Sequence, residues 1–234
     1  MGLLKATINK FDSPAILIGN GINLCYDLFP SWNKLLEKYT GLNFNSEGLT
    51  NTEIYDFIDM KAGDTINLKS AIAHSFNKDQ KKQSEIHEKF IDLVIHKDCP
   101  VLTTNFDFTL ETSLFPNNGS FYRIKNKGFT RFYPWDTYFG QKQHALPTDG
   151  FGIWHIHGMI NYFDSIRLGL TDYMGSVEKA RKLIHNVDDK LFSGKNLDNW
   201  GGRSTWLHLW FNKPIIIVGL KLSTDEVFIR WLLI

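Results

Sequence analysis

Cysteine is nearly missing from this chain: two residues in 234, Cys25 and Cys99, far apart and in no C-x-x-C pair. That excludes a disulfide framework and a cysteine-built zinc site, and both read as buried thiols. Charge of one sign is missing as well. The 26 basic and 25 acidic residues leave a formal net charge of +1 and are mixed along the chain, so no electrostatic footprint marks a nucleic acid or a membrane surface as a direct partner. A polyanionic ligand would have to be held locally. Long hydrophobic runs are absent too. The longest, such as Ile215 to Val218, are strand-sized, and the N-terminus shows no basic region followed by an apolar signal core, which reads as a cytoplasmic protein. No internal repeat or low-complexity segment stands out.

What the chain does have is an alternation of strand-sized apolar runs and amphipathic stretches. With 43% hydrophobic and 22% charged residues, it is long enough for one well-buried α/β domain. Strands are expected at Ala15 to Gly19, Pro100 to Thr104, Phe121 to Ile124, Gly152 to Ile156, Ile166 to Leu170 and Pro214 to Gly219. The first, second and last are continuously apolar, as parallel strands are when both faces of their sheet are covered by helices. Helical spacing joins Trp32, Leu35, Leu36 and Tyr39, with Ser31 placed to cap them, and a second stripe joins Ile86, Phe90, Leu93 and Val94. Weaker helical patterns around Ile54, Phe57 and Ile58 and around Leu68 and Ile72 mark about 41–98 as a helical insertion in a single domain spanning 1–234. Ser223 and Glu226 have capping-box spacing for a last helix. The chain stops inside that helix at Trp231-Leu232-Leu233-Ile234, which reads as a truncation or as one domain of a longer protein.

Four polar clusters sit at the carboxyl ends of expected strands: Gly19-Asn20-Gly21-Ile22-Asn23, Thr103-Thr104-Asn105-Phe106-Asp107, His155-Ile156-His157-Gly158 and Gly219-Leu220-Lys221-Leu222-Ser223. In open α/β sheets ligands bind at that edge, so the clusters imply one site assembled from four strand ends. Each also has a plain structural reading. The glycine turn could be a tight strand-to-helix connection needing positive φ, or its glycines could let the chain approach a pyrophosphate. Asn105 and Asp107 could cap a helix before Leu110, and Ser223 fits a cap better than a ligand contact. His155 and His157 are spaced i, i+2 and share a face if the segment is extended. Each could be a hydrogen-bonded core residue, or together they could bind a metal, although no motif supplies the further ligands that zinc takes.

In order and content the clusters resemble the sirtuin fold, in particular the sirtuin-like NAD-consuming domains of bacterial anti-phage defence systems such as the Thoeris effector. The turn Gly19 to Asn23 is similar to the G-A-G-x-S turn of sirtuins, and Thr103 to Asp107 is similar to their T-Q-N-x-D. Their catalytic histidine directly precedes a glycine, which singles out His157 before Gly158. Phe29-Pro30-Ser31-Trp32 looks like the P-S-W turn of the defence-type members, and Leu170 to Tyr173 and Val218 to Asp225 look like their later motifs. The resemblance runs from Gly19 to about Ile234 and implies a Rossmann-like parallel sheet of about six strands. The four zinc cysteines and the P-D-F-R segment of protein-deacylating sirtuins are missing, so no zinc ribbon and no acyl-lysine groove are expected.

What the resemblance implies is an NAD hydrolase that cleaves the nicotinamide–ribose bond to nicotinamide and linear or cyclic ADP-ribose, as the NAD-depleting effector of an anti-phage system. Asn105 would position the ribose hydroxyls or water, His157 would act as general base, and Asp107 would brace its loop or contact the nicotinamide side. Gly19, Asn20, Gly21, Asn23, Thr104, Gly219, Leu220 and Ser223 would hold NAD, here the substrate, with no metal. Breaking this bond expels a neutral ring from a cationic one, so acid assistance to the leaving group is not needed, and an imidazole titrating near the working pH suits the base. Other classes stay open: a non-catalytic sensor of NAD or a nucleotide signal, a metal-dependent phosphoesterase built on His155 and His157, and a protein deacylase. A homo-oligomer, with a sensor domain or partner protein, is expected from the apolar end and from an aromatic content of 14% in which Trp206 and Trp210 read as exposed.

Overall fold

The computed structural model describes residues 1–24, 31–40, 47–63, 67–77, 85–114, 119–125, 128–185 and 200–234. Cys25 and the Phe29-Pro30 half of the expected P-S-W turn lie outside the described residues. Among those described, strands β1 (Ala15–Ile18), β2 (Val101–Thr103), β3 (Ser120–Arg123), β4 (Thr137–Gly140), β5 (Ile153–His155) and β6 (Ile215–Val218) form one sheet in the order β3-β4-β5-β2-β1-β6. Around it lie α1 (Gly2–Ile8), α2 (Gly21–Leu24), α3 (Trp32–Thr40), α4 (Asn51–Ala62), α5 (Leu68–Asn77), α6 (Glu85–His96), α7 (Thr109–Leu114), α8 (Leu170–His185), α9 (Leu207–Asn212) and α10 (Val227–Leu232). No described helix is long and apolar enough to cross a membrane.

Strands β5, β2, β1 and β6 are parallel, with Leu17 opposite both Leu102 and Ile217, and Leu102 opposite Trp154. The expected all-parallel sheet is nevertheless a mixed one, because β4 pairs antiparallel with both β5 and β3. A strand missing from the sequence reading, Thr137-Tyr138-Phe139-Gly140, completes it. It is only four residues long, and its partner β3 is not joined to it by a short glycine turn that would betray a hairpin. Conversely, Ile166 to Leu170 is no strand. Ile166 and Leu168 are buried, but the Leu168 and Gly169 N–H groups donate to the Asp172 carboxylate and the Arg167 N–H donates to the His157 carbonyl. Its amides are thus spent on the entry to α8.

Side chains alternate along each parallel strand, so each feeds two cores. Ile16, Ile18, Val101 and Ile153 pack with Leu36 of α3, Tyr55 of α4, Ile72 of α5, Phe90 and Val94 of α6, and Leu110 of α7. Ala15, Leu17, Leu102 and Trp154 pack with Tyr173 and Ala180 of α8, Leu209 of α9 and Phe228 of α10. Trp206 and Trp210 belong to this second core at 0% and 9% exposure, so the exposed aromatic surface inferred from them is not there. The chain leaves β1 and β2 toward the first core and β6 toward the second, whereas after β5 Ile156 enters the second core and Met159, Ile160, Ile166 and Leu168 enter the first. The segments after the paired strands β1 and β6 thus go to opposite faces of the sheet, the arrangement at which ligand crevices form beyond strand ends.

Local sequence sets the helix starts around this crevice. Ser31 caps α3, its Oγ accepting the Lys34 N–H at 3.5 Å. Thr50 and Glu53 close a capping box at α4: Thr50 Oγ1 accepts from Glu53 N–H and Glu53 Oε2 accepts from Thr50 N–H. The box expected from Ser223 and Glu226 does not form. Glu226 is itself the N-cap residue of α10, without a side-chain cap bond, and its N–H donates to the Ser223 carbonyl at 3.1 Å. The Glu226 side chain, read as the far half of that box, lines the cleft instead.

Candidate active site

The two glycine turns at the ends of β1 and β6 press on each other. Gly219 has φ +62°, a conformation that favours glycine. A Cβ on Gly19 would stand 2.8 Å from the Gly219 carbonyl oxygen, and one on Gly21 would stand 2.7 Å from both Cα and O of Gly219. The Gly21 N–H donates to that same oxygen at 2.8 Å. The G-x-G spacing thus serves backbone contact between two strand ends, whatever ligand lies above it. Gly21→Ala is expected to cost about 1–3 kcal/mol through overpacking against main chain, read as a lower urea midpoint. A wild-type midpoint would contradict this contact.

The end of β2 is tied to the first turn by polar side chains. Asp107 Oδ1 accepts the Thr109 N–H at 2.9 Å, the expected cap of α7, while its Oδ2 accepts from Asn23 Nδ2 at 3.1 Å. Asn23 Nδ2 also donates to Asn20 Oδ1, and its Oδ1 accepts from His87 Nε2 on α6 at 2.9 Å. Asn23 is 1% exposed, so this amide braces the loops from behind. Asn105 is held by its main chain: its N–H donates to Thr103 Oγ1 at 3.1 Å, and its carbonyl accepts from His155 Nδ1 at 2.8 Å. Among the described residues its side-chain Nδ2 reaches only the Gly19 carbonyl, at 3.5 Å.

The two histidines have different surroundings. The strand ends at His155, so the alternation that would give them one face stops there. His155 Nε2 meets Glu111 Oε1 at 2.8 Å, and its ring lies against Phe108 and Phe139. Burial works against charge on this ring, but the Glu111 carboxylate, the Asn105 carbonyl and Asp107 outweigh it, and His155 titrates above the ordinary imidazole value. Its contribution to stability is fully present below about pH 6.5 and is lost as pH rises through the elevated folded value. Glu111→Ala, which strands a buried imidazole, is expected to cost about 3–5 kcal/mol. In thermal melts the gap from wild type should narrow as pH rises above the imidazole range; a gap that widens would refute the charged pair.

His157 lies edge-on to Tyr173, with ring centroids 5.2 Å apart, and its Nε2 faces Glu226 Oε2 at 3.7 Å. That is too long for a hydrogen bond. Both atoms are buried without a hydrogen-bond partner among the described residues, as is the Tyr173 hydroxyl. Burial and then the positive charge of Arg167 push His157 down to about 3. Burial and then Asp225 push Glu226 up to about 7. Alone, His157 is therefore not the near-neutral imidazole that the mechanism read from sequence expects.

One cleft of about 490 Å³ gathers these segments, a size that suits a small-molecule ligand. Asn20, Gly21, Thr104, Asn105, Asp107, His157, Gly219 and Leu220 line it. Of the other expected site residues, Gly19 and Asn23 stand behind the lining, and Ser223 sits aside, its Oγ donating to Asp225 at 3.4 Å. His155 is likewise no part of the lining, so the H-x-H pair does not converge on one point. Among the described residues no group of three His, Cys, Asp or Glu side chains is placed to hold a metal ion.

A family model described as a SIR2-like domain matches residues 100–227, more than half of the chain. The chain belongs to the SIR2-like family. No curated protein matches it. The match takes in Asn105, Asp107, His157, Gly219 and Leu220, so three of the four strand-end segments lie in the SIR2-like region and the glycine turn of β1 precedes it. That region also holds lining residues the sequence reading did not assign: Arg167, Leu168, Lys221 and Glu226. Arg167 is buried, binds Asp172 and the Phe132 carbonyl, and lies 4.6 Å over the Tyr133 ring. A lone arginine inside an apolar run, Ser165-Ile166-Arg167-Leu168, was the available signal for it. Glu226 gave none, because its spacing from Ser223 fits a cap equally well.

Proposed function

We propose that this SIR2-like domain is an NAD hydrolase that breaks the nicotinamide–ribose bond, with Asn105 and His157 at the reacting end of the cleft. The observation that carries the reading is the meeting of Asn20, Asn105, His157 and Gly219, from four different strand ends, in one cleft. When the bond breaks, its electron pair moves onto the cationic pyridinium, which leaves as neutral nicotinamide, and positive charge develops on the ribose. The Asp107 carboxylate in the cleft wall stabilises that charge. Water attacks the ribose carbon and gives its proton to His157, while Asn105 holds water or ribose hydroxyls in line. Trp32, Phe76 and Phe106 offer apolar faces to flat rings, and Lys221 offers positive charge for the diphosphate beside the glycine turns.

NAD depletion on this scheme is the work of an anti-phage effector, and we read the chain as one, acting as a homo-oligomer under a sensor domain or partner protein. The test is to incubate the purified chain with NAD, measure released nicotinamide, and resolve linear from cyclic ADP-ribose by mass. Stoichiometric NAD binding with no nicotinamide released would replace the hydrolase with a sensor. Sedimentation as a monomer with full turnover would remove the oligomer from the scheme.

A further inference from the structure

We propose that Glu226 is a positioning residue that makes His157 a usable base, its carboxylate holding the imidazolium that forms when His157 takes a proton. The proposal rests on the NAD-hydrolase reading and assigns a residue to its proton step. Its first support is placement. Glu226 is 8% exposed, lines the cleft beside His157, and presents Oε2 to Nε2 at 3.7 Å. A carboxylate and an imidazole buried without other partners at those atoms are costly to keep, and each is the natural recipient of the other's proton.

The second support is that the position is fixed from outside the cleft. Glu226 N–H is held by the Ser223 carbonyl, and the Glu226 carbonyl accepts the Arg230 N–H at 3.0 Å, opening α10. Next to it, Asp225 Oδ1 accepts the Asn51 N–H at 2.9 Å, fastening this turn to the start of α4. The side chain is therefore aimed by two helices. The charged and titratable groups around the pair are Arg167 ahead of α8, Asp172 and Tyr173 in its first turn, Asp225 on the same turn as Glu226, and Lys221 and Asp107 across the cleft.

Chemistry gives the third support. A buried imidazole beside Arg167 is a weak base, held down to about 3. An opposite charge within a few ångströms raises a partner's proton affinity by about 10- to 1,000-fold. In the step itself, the neutral ring points its Nε2 proton at Glu226 and leaves Nδ1 for the substrate side. Water bonds to the ribose carbon as nicotinamide departs, its proton moves to Nδ1, and the imidazolium is balanced by the carboxylate until the proton passes to solvent. Glu226 must be ionised for this, and burial puts its titration at about 7. Activity should therefore rise with pH through the neutral range.

Glu226→Gln keeps the shape and removes the charge. It is expected to lower kcat for nicotinamide release by about 10- to 1,000-fold with little change in KM, to abolish the rise in activity near pH 7, and to melt within a few degrees of wild type. Glu226→Asp should recover part of the rate. Wild-type kcat in Glu226→Gln, or a raised KM at unchanged kcat, would overturn the proposal. If the wild type itself releases no nicotinamide, the hydrolase reading falls, and the pair is read directly from the ring resonances of labelled histidine. A step near pH 7 at His157 that Glu226→Gln removes supports the pairing, and resonances indifferent to the substitution overturn it.

Discussion

His157→Ala is expected to lower NAD cleavage by about two to four orders of magnitude, the usual contribution of a general base, while leaving NAD binding largely intact. The ring lines the cleft and its Nε2 makes no hydrogen bond to the described residues, so its removal breaks little that holds the fold. His155→Ala should behave in the opposite way. That ring joins Glu111 to the Asn105 carbonyl behind the cleft, and its loss should appear first in the melting temperature and only then in turnover. Released nicotinamide and thermal melts, measured for both variants, separate the two roles. Equal loss of rate in both, restored or altered by added zinc or manganese, would count against the hydrolase mechanism and for a metal shared by the two histidines.

The contrast between these histidines also marks what sequence could convey. A glycine after His157 separated it from His155 by resemblance, but nothing local revealed that His155 pairs with Glu111, which lies 44 residues earlier. The central strands were legible because their apolar runs are continuous, the mark of burial on both faces. Thr137 to Gly140 was not, since a four-residue strand with a distant antiparallel partner has no period to read. Ile166 to Leu170 failed for the converse reason. Burial alone makes an apolar run, and the hydrogen bonds that decide between strand and connection go to Asp172, three and four residues on, and to the His157 carbonyl, which apolar patterning does not show. The same holds for Glu226, whose spacing from Ser223 met the rule for a cap while its side chain went to the cleft. The glycine turn was half legible. Positive φ and an approaching pyrophosphate were the two reasons it offered for glycine, but neither Gly19 nor Gly21 has positive φ, and both stand against the Gly219 main chain.

Asn105→Ala is expected to cost about as much in turnover as His157→Ala, and with even less change in stability. The main chain of Asn105 is fixed twice over, by Thr103 Oγ1 on its N–H and by His155 on its carbonyl. Alanine leaves both bonds in place. What alanine removes is an amide whose only bond to the described residues is a long one to the Gly19 carbonyl, on a side chain that lines the same cleft as His157. A loosely tethered amide between two strand ends is available to substrate hydroxyls or to the attacking water, and misplacing either by about an ångström costs on the order of a hundredfold in rate. Asn105→Asp keeps the size and the acceptor but loses the donor. If donation to ribose is what matters, aspartate should rescue little, whereas if the residue only accepts a hydrogen bond from water, aspartate should restore much of the rate. An Asn105→Ala protein that melts like wild type and releases nicotinamide at the wild-type rate would remove Asn105 from the reacting end of the cleft.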